Sequence, residues 1–91
     1  MEKFFYIDLA EVMTPEELQS ELVKELPLPD YYGRNLDALY DVLTESGDGW
    51  NIIFYNTKRA QYRLGKYLDA LQRLCREASE DVRDLKIRFY Q

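Results

Sequence analysis

Residues 28–44 read LPDYYGRNLDALYDVLT, and the arrangement of the rest of the chain follows from this stretch. Pro29 closes whatever precedes it, because a proline pushes the residue before it out of the helical region. Asp30-Tyr31-Tyr32-Gly33 has the composition of a turn, with Gly33 the residue expected to take a positive φ. Asn35 suits a helix N-cap, and Asp37 in the following turn complements the positive end of the helix dipole. From there Leu36, Leu39 and Leu43 share one helical face. Asp37 and Asp41 share another, roughly 100–140° away at about 100° per residue, with Tyr40 projecting between the two. The stretch is thus a loop feeding a short amphipathic helix whose polar side carries two carboxylates one turn apart.

Working backward, Leu18, Leu22 and Leu26 recur at helical spacing behind Thr14-Pro15-Glu16-Glu17. Thr14 serves as N-cap, Pro15 fits the first helical position and Glu17 completes a capping box. That predicts a first helix running to about Leu26, preceded by a strand over Lys3–Ile7 (KFFYI). Working forward, Ser46-Gly47-Asp48-Gly49 is a turn and Trp50–Tyr55 (WNIIFY) a second strand. Its near-continuous apolar character predicts burial on both faces. A long helix over about Ala60–Ser79 carries its core stripe on Leu64, Tyr67, Leu68, Leu71, Leu74, Cys75 and Ala78, with Gly65 marking a break or a close approach. Alternation over Leu85–Tyr90 predicts a last strand. The order is β-α-α-β-α-β. Helical connections of this length favour parallel pairing, so the expected fold class is α/β, a small three-stranded parallel sheet packed by helices.

Composition narrows the possible functions. Ninety-one residues with 46% hydrophobic content describe one globular domain, 1–91. No apolar run exceeds about five residues, far short of the ~20 a membrane-spanning helix needs, and the N-terminus does not read as a signal peptide. The chain has no histidine, which removes the commonest general base and metal ligand. Its one cysteine, Cys75, falls on an apolar helical face and reads as a buried thiol in a reducing, cytoplasmic setting. The net charge of −5 is unevenly spread: residues 1–50 hold twelve acids and three bases (−9), residues 51–91 five acids and nine bases (+4). An acidic front half repels phosphate and attracts a basic protein, so neither nucleic acid nor membrane is the expected partner.

For Asp37 and Asp41 three readings stand on the residues alone. They form a solvated acidic flank, with Arg34 placed to offset Asp37; or a face for a cationic partner; or a divalent-metal or acid/base pair. Tyr31 and Tyr40 flank the carboxylates, and an aromatic with a polar tip is cheap to order at an interface. With no histidine and no glycine-rich phosphate loop beside them, these residues point to binding and away from catalysis.

The run from Leu26 to Thr44, LPLPDYYGRNLDALYDVLT, resembles the signature segment of the barstar family of intracellular ribonuclease inhibitors. Chain length, element order and Arg76-Glu77-Ala78 late in the last helix extend the likeness over the whole chain. The resemblance implies a protein that plugs a ribonuclease active site, its carboxylates standing where substrate phosphates would lie. It implies that Asp41 fills the phosphate site and meets the enzyme's arginines and histidine, with Asp37 and Glu77 as further acidic contacts. Tyr31 would pack against the catalytic histidine, Thr44 would be a contact at the helix end and Asn35 a residue at the helix start, chiefly a cap. Tyr40 stands where the family has tryptophan, Arg34 replaces a glutamate and Val42 a cysteine, all at or near the recognition face. The expectation is a non-enzymatic monomer in the cytoplasm, with no cofactor or metal ion. Its partner is a basic protein, a secreted-type ribonuclease, met through Tyr31, Gly33, Asn35, Asp37, Tyr40, Asp41, Thr44 and Glu77. The alternative is a module of the same fold serving a different basic protein.

Overall fold

The computed structural model describes residues 2–91; Met1, where the expected domain begins, lies outside them. The described residues form three strands and four helices: β1 Lys3–Asp8, α1 Pro15–Glu25, α2 Leu36–Ser46, β2 Trp50–Tyr55, α3 Thr57–Leu64, α4 Lys66–Asp81 and β3 Lys86–Phe89. The strands make one parallel sheet in the order β1-β2-β3, with Phe5 opposite Ile52 and Ile52 opposite Ile87. The expected α/β class and element order hold.

Local chemistry sets the helix boundaries. Thr14 Oγ1 accepts from the Glu17 N–H at 3.1 Å, and Glu17 Oε1 reaches back to the Met13 N–H at 2.7 Å, so the start of α1 is closed from both sides. The long third helix expected over Ala60–Ser79 is instead two, α3 and α4, parted at Gly65. Gly65 has φ 52° and ψ −117°, a backbone that side-chain-bearing residues rarely adopt; its N–H closes α3 on Gln61 and its carbonyl opens α4 at Asp69.

Connection geometry decides where the core sits. Both crossovers, β1 to β2 and β2 to β3, step in the same direction across the sheet, and right-handed crossovers then lay their helices on the same side. The burial pattern agrees: Ile7, Trp50, Ile52 and Phe54 are buried, joined by Phe5, Ile87 and Phe89 at partial burial, while Phe4, Tyr6 and Tyr55 on the other face are exposed. Phe54 and Phe89 stack with ring centroids 4.5 Å apart, and Phe5 meets Trp50 edge-on at 5.3 Å. Here the sequence reading needs correction. β2 is central and buried on both faces only in part: on the face with no crossover behind it Asn51 is buried and Ile53 partly buried, while Tyr55 is exposed. On the helix side Leu18 and Leu22 of α1, Leu39 and Leu43 of α2, and Leu68, Leu71 and Cys75 of α4 complete one core. α2 packs on α4, which brings two distant segments of the chain side by side.

Candidate partner-binding face

Two adjacent tyrosines fix the loop that leads into α2. The Tyr32 N–H bonds the Pro29 carbonyl at 3.0 Å, and its hydroxyl donates to Gln19 Oε1 at 2.6 Å. Gln19 in turn donates to the Tyr67 hydroxyl at 2.9 Å, so a buried relay ties the loop to α1 and α4. Burial pushes the Tyr32 hydroxyl up to about 12. With Tyr32 held inward, its neighbour Tyr31 points out and is 87% exposed.

The turn itself departs from expectation at one residue. Arg34, not Gly33, takes the positive φ, at 54°. Gly33 matters through space: a Cβ there would lie 3.2 Å from Asn35 Nδ2 and 3.4 Å from the Ala38 side chain. Arg34 does not offset Asp37 by an ion pair; its Nη2 donates to Ser20 Oγ at 2.7 Å and the side chain leans toward α1. Asn35 caps α2 as expected, its Oδ1 accepting from the Ala38 N–H at 2.7 Å while Nδ2 donates to the Gly33 carbonyl at 3.2 Å. Both side-chain polar atoms are therefore engaged within the fold.

Along α2 the exposed acids are Asp37, Asp41 and Glu45, spaced one turn apart. Like charges at this spacing disfavour a helix by roughly 0.2–0.5 kcal/mol per pair, and Glu45 sits in the last turn, where the dipole opposes it. Among the described residues the ion pairs are Lys24–Glu25 and Lys86–Glu2, neither of them on this helix. Thr44 turns its hydroxyl back to the Tyr40 carbonyl at 2.9 Å.

Tyr40 crosses to α4, where its hydroxyl donates to Asp81 Oδ2 at 2.5 Å. That bond to a carboxylate, with some desolvation and the nearby Glu77 and Asp41, raises the Tyr40 hydroxyl above its ordinary range. A shallow depression between the two helices has Leu36 and Leu74 as apolar floor and Asp37, Tyr40, Asp41 and Glu77 around it. A second concavity, on the other side of Asp41, is lined by Leu28, Tyr31, Gly33, Val42 and Glu45, among others. Asp41 is common to both.

The structure therefore brings together six of the eight expected residues: Asp37, Tyr40, Asp41 and Glu77 at one hollow, Tyr31, Gly33 and again Asp41 at the other. Asn35 and Thr44 sit at the ends of the same surface, with their side chains bonded to backbone. Asp81 and Glu45 were not anticipated. The i, i+4 spacing from Asp41 could have marked Glu45; Asp81 shares that spacing with Glu77 on α4. Among the described residues no three His, Cys, Asp or Glu side chains converge as a metal ion would require. Such a surface, with apolar floors, acidic rims and aromatic edges, suits a partner's basic side chains, whose aliphatic stems want apolar cover and whose heads want carboxylates.

Comparison with known proteins identifies the family. Residues 2–91 match the sequence profile of the family described as Barstar (barnase inhibitor). The chain is also 39% identical over 74 residues to a Bacillus subtilis (strain 168) protein named "Putative ribonuclease inhibitor YrdF", spanning 76% of this chain and 77% of that protein. With the match covering all three strands and both helices of the acidic face, the chain belongs to the barstar family.

Proposed function

We propose that this protein inhibits a barnase-type ribonuclease by seating its α2 face in the enzyme's active site, where Asp41 takes the place of a substrate phosphate. The observation that supports this reading is the convergence of Asp37, Tyr40, Asp41 and Glu77, from helices far apart in sequence, around one hollow whose acids form no ion pair among the described residues. The family is one of ribonuclease inhibitors, which sets the partner class. Exposed carboxylates without internal partners are free to receive an outside cation, and a bidentate arginine–carboxylate contact in a water-poor cleft is a strong, charge-assisted pairing. Tyr31, held outward by its anchored neighbour, flanks Asp41 and offers a flat apolar surface to the enzyme. Asn35 and Thr44 complete the surface as residues that shape its ends. The protein acts as a monomer at working concentration, in the cytoplasm, on an enzyme of the secreted type.

The decisive experiment titrates purified protein into a panel of barnase-type ribonucleases at low salt and follows RNA cleavage. Stoichiometric inhibition of one of them is expected, relieved by competing mononucleotide. Full activity of every enzyme at micromolar protein would refute the reading.

A second reading keeps the fold and face but changes the target to another basic protein. It is favoured by Tyr40, which is tethered to Asp81 and presents a smaller ring than the family's tryptophan. Isothermal titration against the same ribonucleases separates the two, since only the first predicts heat of binding with an enzyme of that class.

A further inference from the structure

All-parallel sheets are ordinarily covered on both faces, yet among the described residues helices cover only one face of this one, and on the other Asn51 alone is buried. The open face is a grid read directly from the strand register. Phe4 lies beside Asn51 and Lys86, Tyr6 beside Ile53 and Arg88, and Asp8 beside Tyr55. Tyr90 extends the last row, since its N–H bonds the Phe54 carbonyl at 2.8 Å and its carbonyl accepts from the Thr57 N–H at 3.0 Å. Phe4, Tyr6, Tyr55 and Tyr90 are between 38% and 57% exposed. Four aromatics on one face, clear of the helices among the described residues, form an apolar patch toward the upper end of what a monomer leaves bare, a size at which such patches often serve as interaction sites.

The charges on this face are sorted by edge. The β1 edge carries Phe4, Tyr6 and Asp8; the β3 edge carries Lys86, Arg88 and Tyr90. We infer that a second copy of this chain docks here, sheet upon sheet, about a two-fold axis that runs parallel to the strands and passes near Ile53. Such an axis preserves position along the strands and exchanges the outer ones. It therefore sets Phe4 against the partner's Lys86, Tyr6 against the partner's Arg88, and Asp8 against the partner's Tyr90, while Ile53 meets its own copy. Cations over aromatic rings and a hydroxyl on a carboxylate are favourable contacts, and each occurs twice by symmetry. Aligned packing of two twisted sheets is a common way to build a core.

A polyanion fits the same face less well. Lys86 is already paired with Glu2 at 3.8 Å, Glu2 also accepts from Asn51 at 3.1 Å, and Asp8 closes the opposite corner. An aromatic side chain brings ~150–250 Å² when fully buried. Four of them half exposed, with the stems of Lys86 and Arg88, offer roughly 500 Å² per copy, or about 1,000 Å² in all, the lower end for a specific interface. The pair is accordingly weak and reversible, monomeric at a few micromolar and dimeric at several hundred. It leaves the α2 face free and does not depend on the ribonuclease reading.

Sedimentation velocity tests it, on the full chain between about 5 and about 500 µM. The wild type should shift from monomer to dimer across this range. Ile53→Glu, which places like charges on the axis, and the fully surface change Arg88→Glu should each remain monomeric at the top concentration, with far-UV spectra and urea midpoints showing both variants folded. A wild type that stays monomeric throughout overturns the inference. So does a dimer that persists in a folded Arg88→Glu variant, since pairing would then use another surface. A fluorescent single-stranded oligonucleotide is added to the monomer in parallel. Binding that Arg88→Glu abolishes would assign the face to a polyanion and overturn it equally.

Discussion

Tyr31 and Tyr32 are identical in type and adjacent in the chain, and the fold assigns them opposite tasks. Tyr32 is anchored through Gln19 to Tyr67 and must keep its proton, because burial holds its hydroxyl near 12. An unfolded tyrosine titrates near ~10. The stability Tyr32 contributes is therefore intact below about pH 10 and is lost as pH rises from there toward 12, since the unfolded chain gives up the proton more readily. Urea unfolding followed from pH 8 to 11.5 should show this decline, and Tyr32→Phe should flatten it while lowering stability at neutral pH through the lost Gln19 bond. At the acidic face, Asp41→Ala is expected to weaken ribonuclease inhibition by about tenfold or more, because an enzyme cation would be left buried without its partner. Tyr40→Phe severs the link to Asp81 but keeps the ring, so its effect on inhibition should be several times smaller. Inhibition constants for the two variants make the comparison. The identity of Asp37, Tyr40 and Asp41 as one face was legible from a helical wheel. The Tyr40–Asp81 bond was not, because it joins residues 41 apart in sequence and exists only once α2 has docked on α4. Arg34 was misread for a related reason: spacing along the helix placed it near Asp37, but a left-handed backbone aims it at Ser20.

Elements whose ends are set by local chemistry were the most readable. The caps of α1 and α2 depend on a few consecutive residues, and Thr14, Glu17 and Asn35 bond as their positions imply. The break between α3 and α4 was only half readable: Gly65 marks it, but a glycine in a helical pattern equally permits an unbroken helix. Gly47 shows how tightly one end is specified. A Cβ there would collide with the Leu43 carbonyl oxygen and press on the Leu85 side chain at 3.2 Å. Gly47→Ala should lower stability by about 1–3 kcal/mol, the usual range for forced overpacking, measurable as a reduced urea midpoint with an unchanged slope. On α4, burial pushes the Cys75 thiol up to about 12, so the reactive thiolate is scarce as well as enclosed. A thiol-specific dye at pH 8 should leave Cys75 unlabelled in the native protein and label it fully in denaturant.

At the scale of the molecule, a sequence with −9 in its first fifty residues and +4 in the remainder sets three exposed acids in a row along α2, with Glu77 of α4 beside them and none of the four in an ion pair among the described residues. Attraction of this kind acts before contact and is screened by salt over about 8–10 Å. Stopped-flow association with a basic ribonuclease should therefore slow by about an order of magnitude between low and high salt, with dissociation changing less. A rate indifferent to salt would mean that apolar contact, not charge, brings the partners together. Strand order was the least readable feature at this scale. The pattern of elements implied parallel strands, but only their order, with both crossovers stepping the same way, leaves one face of the sheet bare. That one-sided layering has a consequence for counting. Helices and sheet look in opposite directions, so two chains joined through their sheets would carry two inhibitory faces pointing outward. Saturation would remain one enzyme per chain, yet each particle would hold a pair of enzymes, and light scattering at high concentration would record the doubled mass. What acts as a stopper when dilute would become a clasp when crowded.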